Sequence, residues 1–119
     1  MNDAQLTIYE KSTCTTCRQT VKLLRERGVE FEDVQYFLEP LSAAKIAELL
    51  DKMGITPREL LRTKEQSYRD LDLKDAARTD LELIEAMAEH PELIQRPIAE
   101  KGPRAVLCRP YDRILELLD

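Results

Sequence analysis

Two of the three cysteines in the chain, Cys14 and Cys17, stand three residues apart in S-T-C-T-T-C-R, residues 12–18, directly behind the apolar run L-T-I-Y. A C-x-x-C pair can be half of a metal site, an inert piece of core, or a reactive thiol with a partner. A structural zinc site normally takes four ligands, and beyond the pair the chain offers only Cys108 and the single His90, neither in a matching ligand spacing; no metal is expected. A cysteine at a helix start, by contrast, faces unpaired backbone N–H groups and the positive end of the helix dipole. Such surroundings lower a thiol from about 8.5 to roughly 3.5–7.5. Cys14 is therefore the expected nucleophile. Cys17, one turn further in, lies within disulfide reach of Cys14 and can resolve it, although the inert-core reading suits Cys17 better than Cys14. Cys108, at the end of A-V-L-C, reads as a small core hydrophobe.

The surrounding residues must supply the helix start. Residues 5–9, Q-L-T-I-Y, alternate and favour a strand. From Cys17 the spacing becomes helical, with Cys17, Val21 and Leu24 on one face and Gly28 at the end. V-E-F-E-D-V-Q-Y then reads as a second strand, completing a β-α-β unit with parallel strands. The middle of the chain is predicted helical. Ser42 opens a stripe of Ile46, Leu49, Leu50 and Met53 that closes at Gly54. T-P-R-E (Thr56 to Glu59) and T-D-L-E (Thr79 to Glu82) each carry a capping-box pattern. A two-residue period returns after Pro97, giving a hairpin that turns at Gly102 and Pro103 with Ala105 to Cys108 as its second strand. Y-D-R-I-L-E-L-L closes the chain as an amphipathic helix with Tyr111, Ile114, Leu115 and Leu118 on its stripe.

The 119 residues suffice for one hydrophobic core, so the expectation is a single α/β domain, 1–119, with a helical insertion at about 41–95. The N-terminal M-N-D-A-Q lacks the charged flank and apolar core of a secretory signal, and a cytoplasmic location is expected. In that compartment a C-x-x-C pair is more often catalytic or redox-sensing than a structural cross-link. A formal net charge of −5 argues against a broad nucleic-acid surface, and no run is apolar enough for a membrane span.

The strand, the C-x-x-C loop and the β-α-β order resemble a thioredoxin-like fold with a four-stranded mixed sheet (β-α-β, helical insertion, β-β-α). L-L-R-T-K, E-H-P-E-L-I-Q-R-P-I and A-V-L-C-R-P-Y-D-R-I-L-E-L-L closely resemble the glutaredoxin-coupled arsenate reductase family, essentially end to end over residues 5–118. The resemblance implies reduction of arsenate, or another small oxyanion, to the lower oxidation state, with Cys14 as nucleophile. It implies that Arg62, Arg96 and Arg109 bind the oxyanion and that Pro97 is the cis-proline of the fold. Guanidinium forks suit such a task, because paired hydrogen bonds can grip a tetrahedral anion while offsetting its charge. Glutathione is the implied co-substrate and glutaredoxin the implied partner, with no bound cofactor.

Two positions depart from the best-known members of that family. Glu10 stands where they have a histidine, and an ionised carboxylate there would raise the Cys14 thiol and repel an anion, with Lys11 and Arg18 as offsets. Cys17 stands where they have serine. The C-x-x-C form in T-C-T-T-C-R is similar to the Spx branch, redox-sensing regulators that bind the RNA polymerase α subunit and switch through an intramolecular disulfide. A third relative is a small thiol reductase without an assigned substrate.

Overall fold

The computed structural model describes residues 5–118. Within them the chain divides into two compact units, residues 5–39 with 96–118, and residues 40–95.

The first unit is built on a four-stranded mixed sheet. Strands β1 (Leu6–Glu10), β2 (Glu32–Gln35), β3 (Ile98–Lys101) and β4 (Arg104–Leu107) lie in the order β2-β1-β3-β4. β1 runs parallel to β2, with Ile8 opposite Asp33, and antiparallel to β3, with Ile8 opposite Ala99. The parallel pair needs a crossover, which helix α1 (Thr15–Glu26) provides. Antiparallel β3 and β4 need only a tight turn, and Gly102 makes it with φ +60°, a conformation that costs glycine little.

Helix α1 buries Cys17, Thr20, Val21 and Leu24, spaced i, i+3, i+4, i+7 as an apolar face requires. Leu24 joins Leu6, Ile8, Ala99, Val106, Cys108, Ile114 and Leu117 in one cluster, so this core has α1 on the sheet. Along β1, side chains alternate between the two faces. Leu6 and Ile8 therefore enter that cluster, whereas buried Tyr9 points the other way and donates its hydroxyl to Glu100 Oε1 at 2.6 Å.

The C-terminal segment departs from the expected stripe. Tyr111–Leu117 is a 3₁₀ helix, and its buried residues are Ile114 and Leu117, three apart, where a 3.6-residue period predicted Ile114, Leu115 and Leu118. Tighter winding places every third side chain on the same face. Leu115 and Leu118 touch the core only partly, and Tyr111 is exposed.

In the second unit, helix α2 (Ala43–Met53) starts at Ser42, whose Oγ accepts the Lys45 amide at 3.0 Å. Helix α3 (Pro57–Leu60) begins with the Thr56 capping box, α4 (Gln66–Asp70) is a short turn, and α5 (Asp80–Glu89) begins with the Thr79 box. Packing of α5 against α2, α3 and the 3₁₀ turn Pro91–Leu93 makes this unit's core, to which Leu83 and Met87 contribute fully buried side chains. In the Thr79 box, Oγ1 accepts the Glu82 amide at 3.1 Å while Glu82 Oε1 accepts the Thr79 amide at 2.8 Å. Thr79→Ala removes one of those bonds and is expected to cost about 1 kcal/mol, read as a lower urea midpoint with an unchanged slope.

Candidate functional site

The loop that carries the nucleophile is held at both ends before the helix begins. The Ser12 amide donates to Gln35 Oε1 at 3.0 Å, tying the loop to β2, and the Cys14 amide donates to the Lys11 carbonyl at 2.9 Å. Cys14 takes extended backbone angles, φ −85° and ψ 127°, and occupies the N-cap of α1, its carbonyl accepting the Arg18 amide at 3.0 Å. As a neutral thiol it makes no capping hydrogen bond. As a thiolate it does better. Partial burial would raise its pKa, but the Cys17 amide, the Cys17 S–H, the Arg96 charge and the Thr16 amide outweigh burial and hold it below the ordinary thiol value.

Cys17 shows the opposite behaviour one turn along the helix. Its side chain is 0% exposed. Burial pushes its thiol up to about 12, the Lys11 backbone N–H working against this and the neighbouring Cys14 sulfur adding to it. At neutral pH, then, Cys14 is the sulfur that can ionise and Cys17 is the one that donates a proton toward it. Alkylation with iodoacetamide at a series of pH values should therefore modify Cys14 with a midpoint below about 8.5 and leave Cys17 untouched in the native protein. Peptide mapping by mass spectrometry distinguishes the two, and a Cys14 midpoint above that value would show that burial wins.

Glu10 does not act as the sequence suggested. It is 4% exposed at the end of β1. Burial first, then the hydrogen bond and charge of Asp33, push its carboxyl up to about 8, with Gln35 and Arg25 acting the other way. Burial and the Asp33 carboxylate thus favour the neutral Glu10 carboxyl at neutral pH, which lessens the charge an arriving anion meets there. The penalty expected on Cys14 is reduced, because the carboxyl is desolvated and faces a second carboxylate.

The arginines fall into two groups. Arg96, two residues before β3, is 7% exposed; its Nη1 lies 3.5 Å from the Tyr36 hydroxyl and its guanidinium lies 5.3 Å from the centre of the Phe37 ring. Arg109 follows β4 and donates from Nη1 to Thr16 Oγ1 at 3.3 Å, in the first turn of α1. The peptide bonds Arg96–Pro97 and Arg109–Pro110 are both cis. The first unit thus brings Cys14, Cys17, Arg96 and Arg109 to one end of α1. Arg62 belongs to the second unit, where its Nε donates to Glu65 Oε2 at 3.2 Å and its amide donates to the Leu93 carbonyl at 2.7 Å.

A family model described as the ArsC family matches residues 9–117. The chain belongs to the ArsC family. Among its similar relatives is an arsenate reductase of Rhizobium meliloti (strain 1021), 39% identical, the match covering 95% of this chain and 81% of that one. An uncharacterized protein of Escherichia coli (strain K12), YfgD, is also 39% identical, over 96% of this chain and 97% of that one. Among solved structures, an arsenate reductase from Vibrio cholerae superposes with a TM-score of 0.92 at 34% identity, covering 97% of this chain and 98% of that one. The α/β fold with its four-stranded mixed sheet is the fold of these ArsC-family structures.

Three site residues of this ArsC-family chain escaped sequence reasoning. Tyr36 and Phe37, their ring centres 5.2 Å apart and their planes tilted by 51°, form the wall on which Arg96 rests, and Lys11 Nζ lies 4.5 Å from the same Phe37 ring. Thr16 receives Arg109. The signal for the first two was available, since the chain has only four tyrosines and two phenylalanines and places two of the six side by side at the end of β2. Cys108, in contrast, sits in the core as expected, 0% exposed and with its thiol pushed up to about 12 chiefly by burial. No helix among the described residues is long and apolar enough to cross a membrane.

Proposed function

We propose that the chain is an arsenate reductase in which Cys14 is the nucleophile and an external thiol of the glutathione type supplies the second reducing equivalent. The observation that carries this reading is the Cys14 sulfur at the N-cap of α1, held below the ordinary thiol value with the Arg96 charge acting on it. A fixed cation attracts an oxyanion, and a thiolate held beside it can attack the central atom. Arg96 and Arg109 are the proposed oxyanion ligands in this unit, and Arg62 takes the same role on the resemblance alone.

The electron count requires two thiols. Attack by Cys14 on arsenic(V) forms an S–As bond, and one arsenate oxygen leaves as water. A glutathione thiol then attacks the Cys14 sulfur, the S–As bond breaks, and its electron pair stays on arsenic, giving arsenite and a Cys14–glutathione disulfide. A dithiol partner such as glutaredoxin exchanges with that disulfide and returns the Cys14 thiol. Cys17 is poorly suited to resolve the adduct in its place, because its side chain is 0% exposed and that burial disfavours its thiolate.

The test is a coupled assay. With glutathione, glutaredoxin and glutathione reductase present, adding millimolar arsenate should start NADPH consumption in proportion to the amount of protein. Consumption no faster than in its absence would sink the reading.

A further inference from the structure

Along the side of α1 that faces β2 runs an open groove of about 730 Å³, lined by Arg18, Val21, Lys22 and Arg25 from the helix and by Asp33 and Gln35 from β2, with Ser12 at one end and Glu10 in its floor. Its size is that of a small-ligand site. The nucleophile and its arginines do not line it. We propose that this groove binds the peptide part of the glutathione-type thiol, with Arg25 and Lys22 taking the γ-glutamyl carboxylate, Asp33 taking its ammonium, and the thiol directed past Ser12 toward Cys14. The assignment rests on the reductase reading above and extends it to the second substrate.

Charge and length both fit. Arg18, Lys22 and Arg25 are exposed and present three cations; Glu26 pairs with Lys22 at 3.9 Å, and Glu10 and Asp33 face one another as a hydrogen-bonded carboxyl pair. A protonated Glu10 leaves Asp33 as the negative group of the pair, so the groove is weakly positive while still offering one site for an ammonium. Glutathione at neutral pH, with two carboxylates and one ammonium, is its complement. Eleven residues separate Arg25 from Cys14, about 16 Å of helix rise, and a long helical side chain leans toward the N-terminus over roughly one turn, about 5 Å. A carboxylate held by Arg25 then lies roughly 10 Å from the Cys14 loop, the span from a γ-glutamyl carboxylate to the cysteine sulfur in an extended tripeptide. Arg18 closes the near end, its Nη1 donating to the Ser12 carbonyl at 3.4 Å.

The probe is S-methylglutathione, which binds without exchanging disulfides, titrated into the full isotope-labelled chain and followed by amide chemical shifts. Shifts should centre on residues 18–26 and 33–35, and Arg25→Glu should weaken binding at least tenfold while Arg25→Lys, which keeps the charge, retains most of it. Arg113→Glu removes the same charge from the C-terminal 3₁₀ helix and should change the affinity less than twofold. Equal weakening in both charge reversals, or shifts centred elsewhere, would overturn the groove assignment. In the coupled assay Arg25→Glu should raise the KM for glutathione about tenfold at unchanged kcat. Arsenate turnover with an unaltered glutathione KM rejects the groove and leaves the reductase reading standing; groove binding without any arsenate turnover rejects the reading and keeps the groove.

Discussion

Cys14→Ser is expected to lower arsenate-dependent NADPH consumption by about 10³-fold or more, to the background of the coupled assay. A serine hydroxyl occupies nearly the same space, so the comparison isolates chemistry from packing. It has no accessible anion at neutral pH and cannot form the S–As bond on which the later electron transfer depends. Folding should not suffer. The position is an N-cap, where serine is among the preferred residues and can accept a helix amide that the neutral thiol leaves alone. The urea midpoint of the variant should therefore equal or slightly exceed that of the parent chain. Cys17→Ser provides the contrast: with glutathione present it should keep most of the turnover, since the resolving thiol comes from outside. Loss of turnover in Cys17→Ser as deep as in Cys14→Ser would reassign the resolving step to Cys17.

Arg96→Ala is the second large effect, about 10²-fold in kcat/KM for arsenate, the usual cost of deleting one well-placed donor to a developing anion. A second readout separates electrostatics from simple loss of structure. The Arg96 charge is one of the influences that lower the Cys14 thiol, so its removal raises that pKa and the pH midpoint of Cys14 alkylation moves upward. Arg96→Lys should restore much of the midpoint, because the charge returns, and little of the catalytic rate, because the planar fork and its contact with the Phe37 ring do not. An alanine variant with an unshifted midpoint would remove Arg96 from the account of the thiolate.

Much of the architecture was legible because local signals and global packing agree. The spacing of Cys17, Val21 and Leu24 marks the buried face of α1, to which the structure adds Thr20, and the boxes at Thr56 and Thr79 mark helix starts that the structure contains. The C-terminal segment was misread because its leucines satisfy two periods, and Pro110 with the packing of Ile114 and Leu117 selects the tighter one. Within the site, Cys14 was legible from its place between strand and helix. The charge state of Glu10 was not, since it depends on burial and on Asp33, 23 residues away across a parallel strand pair. The support of Arg96 by Tyr36 and Phe37 was hidden for the same reason, a contact over 60 residues that no local pattern encodes.

That separation in sequence has a consequence for synthesis. The nucleophile loop and β2 leave the ribosome early, whereas β3, which pairs with β1 across 91 residues at Ile8 and Ala99, follows only after residues 40–95. Long-range pairing of this kind is slow to form and comes late in assembly. Until it forms, Arg96 and Arg109 have no fixed place, and the Cys14 thiol has only the groups of α1 itself to favour its thiolate. One of the charges that favour the Cys14 thiolate is thus contributed by the part of the chain that is made last.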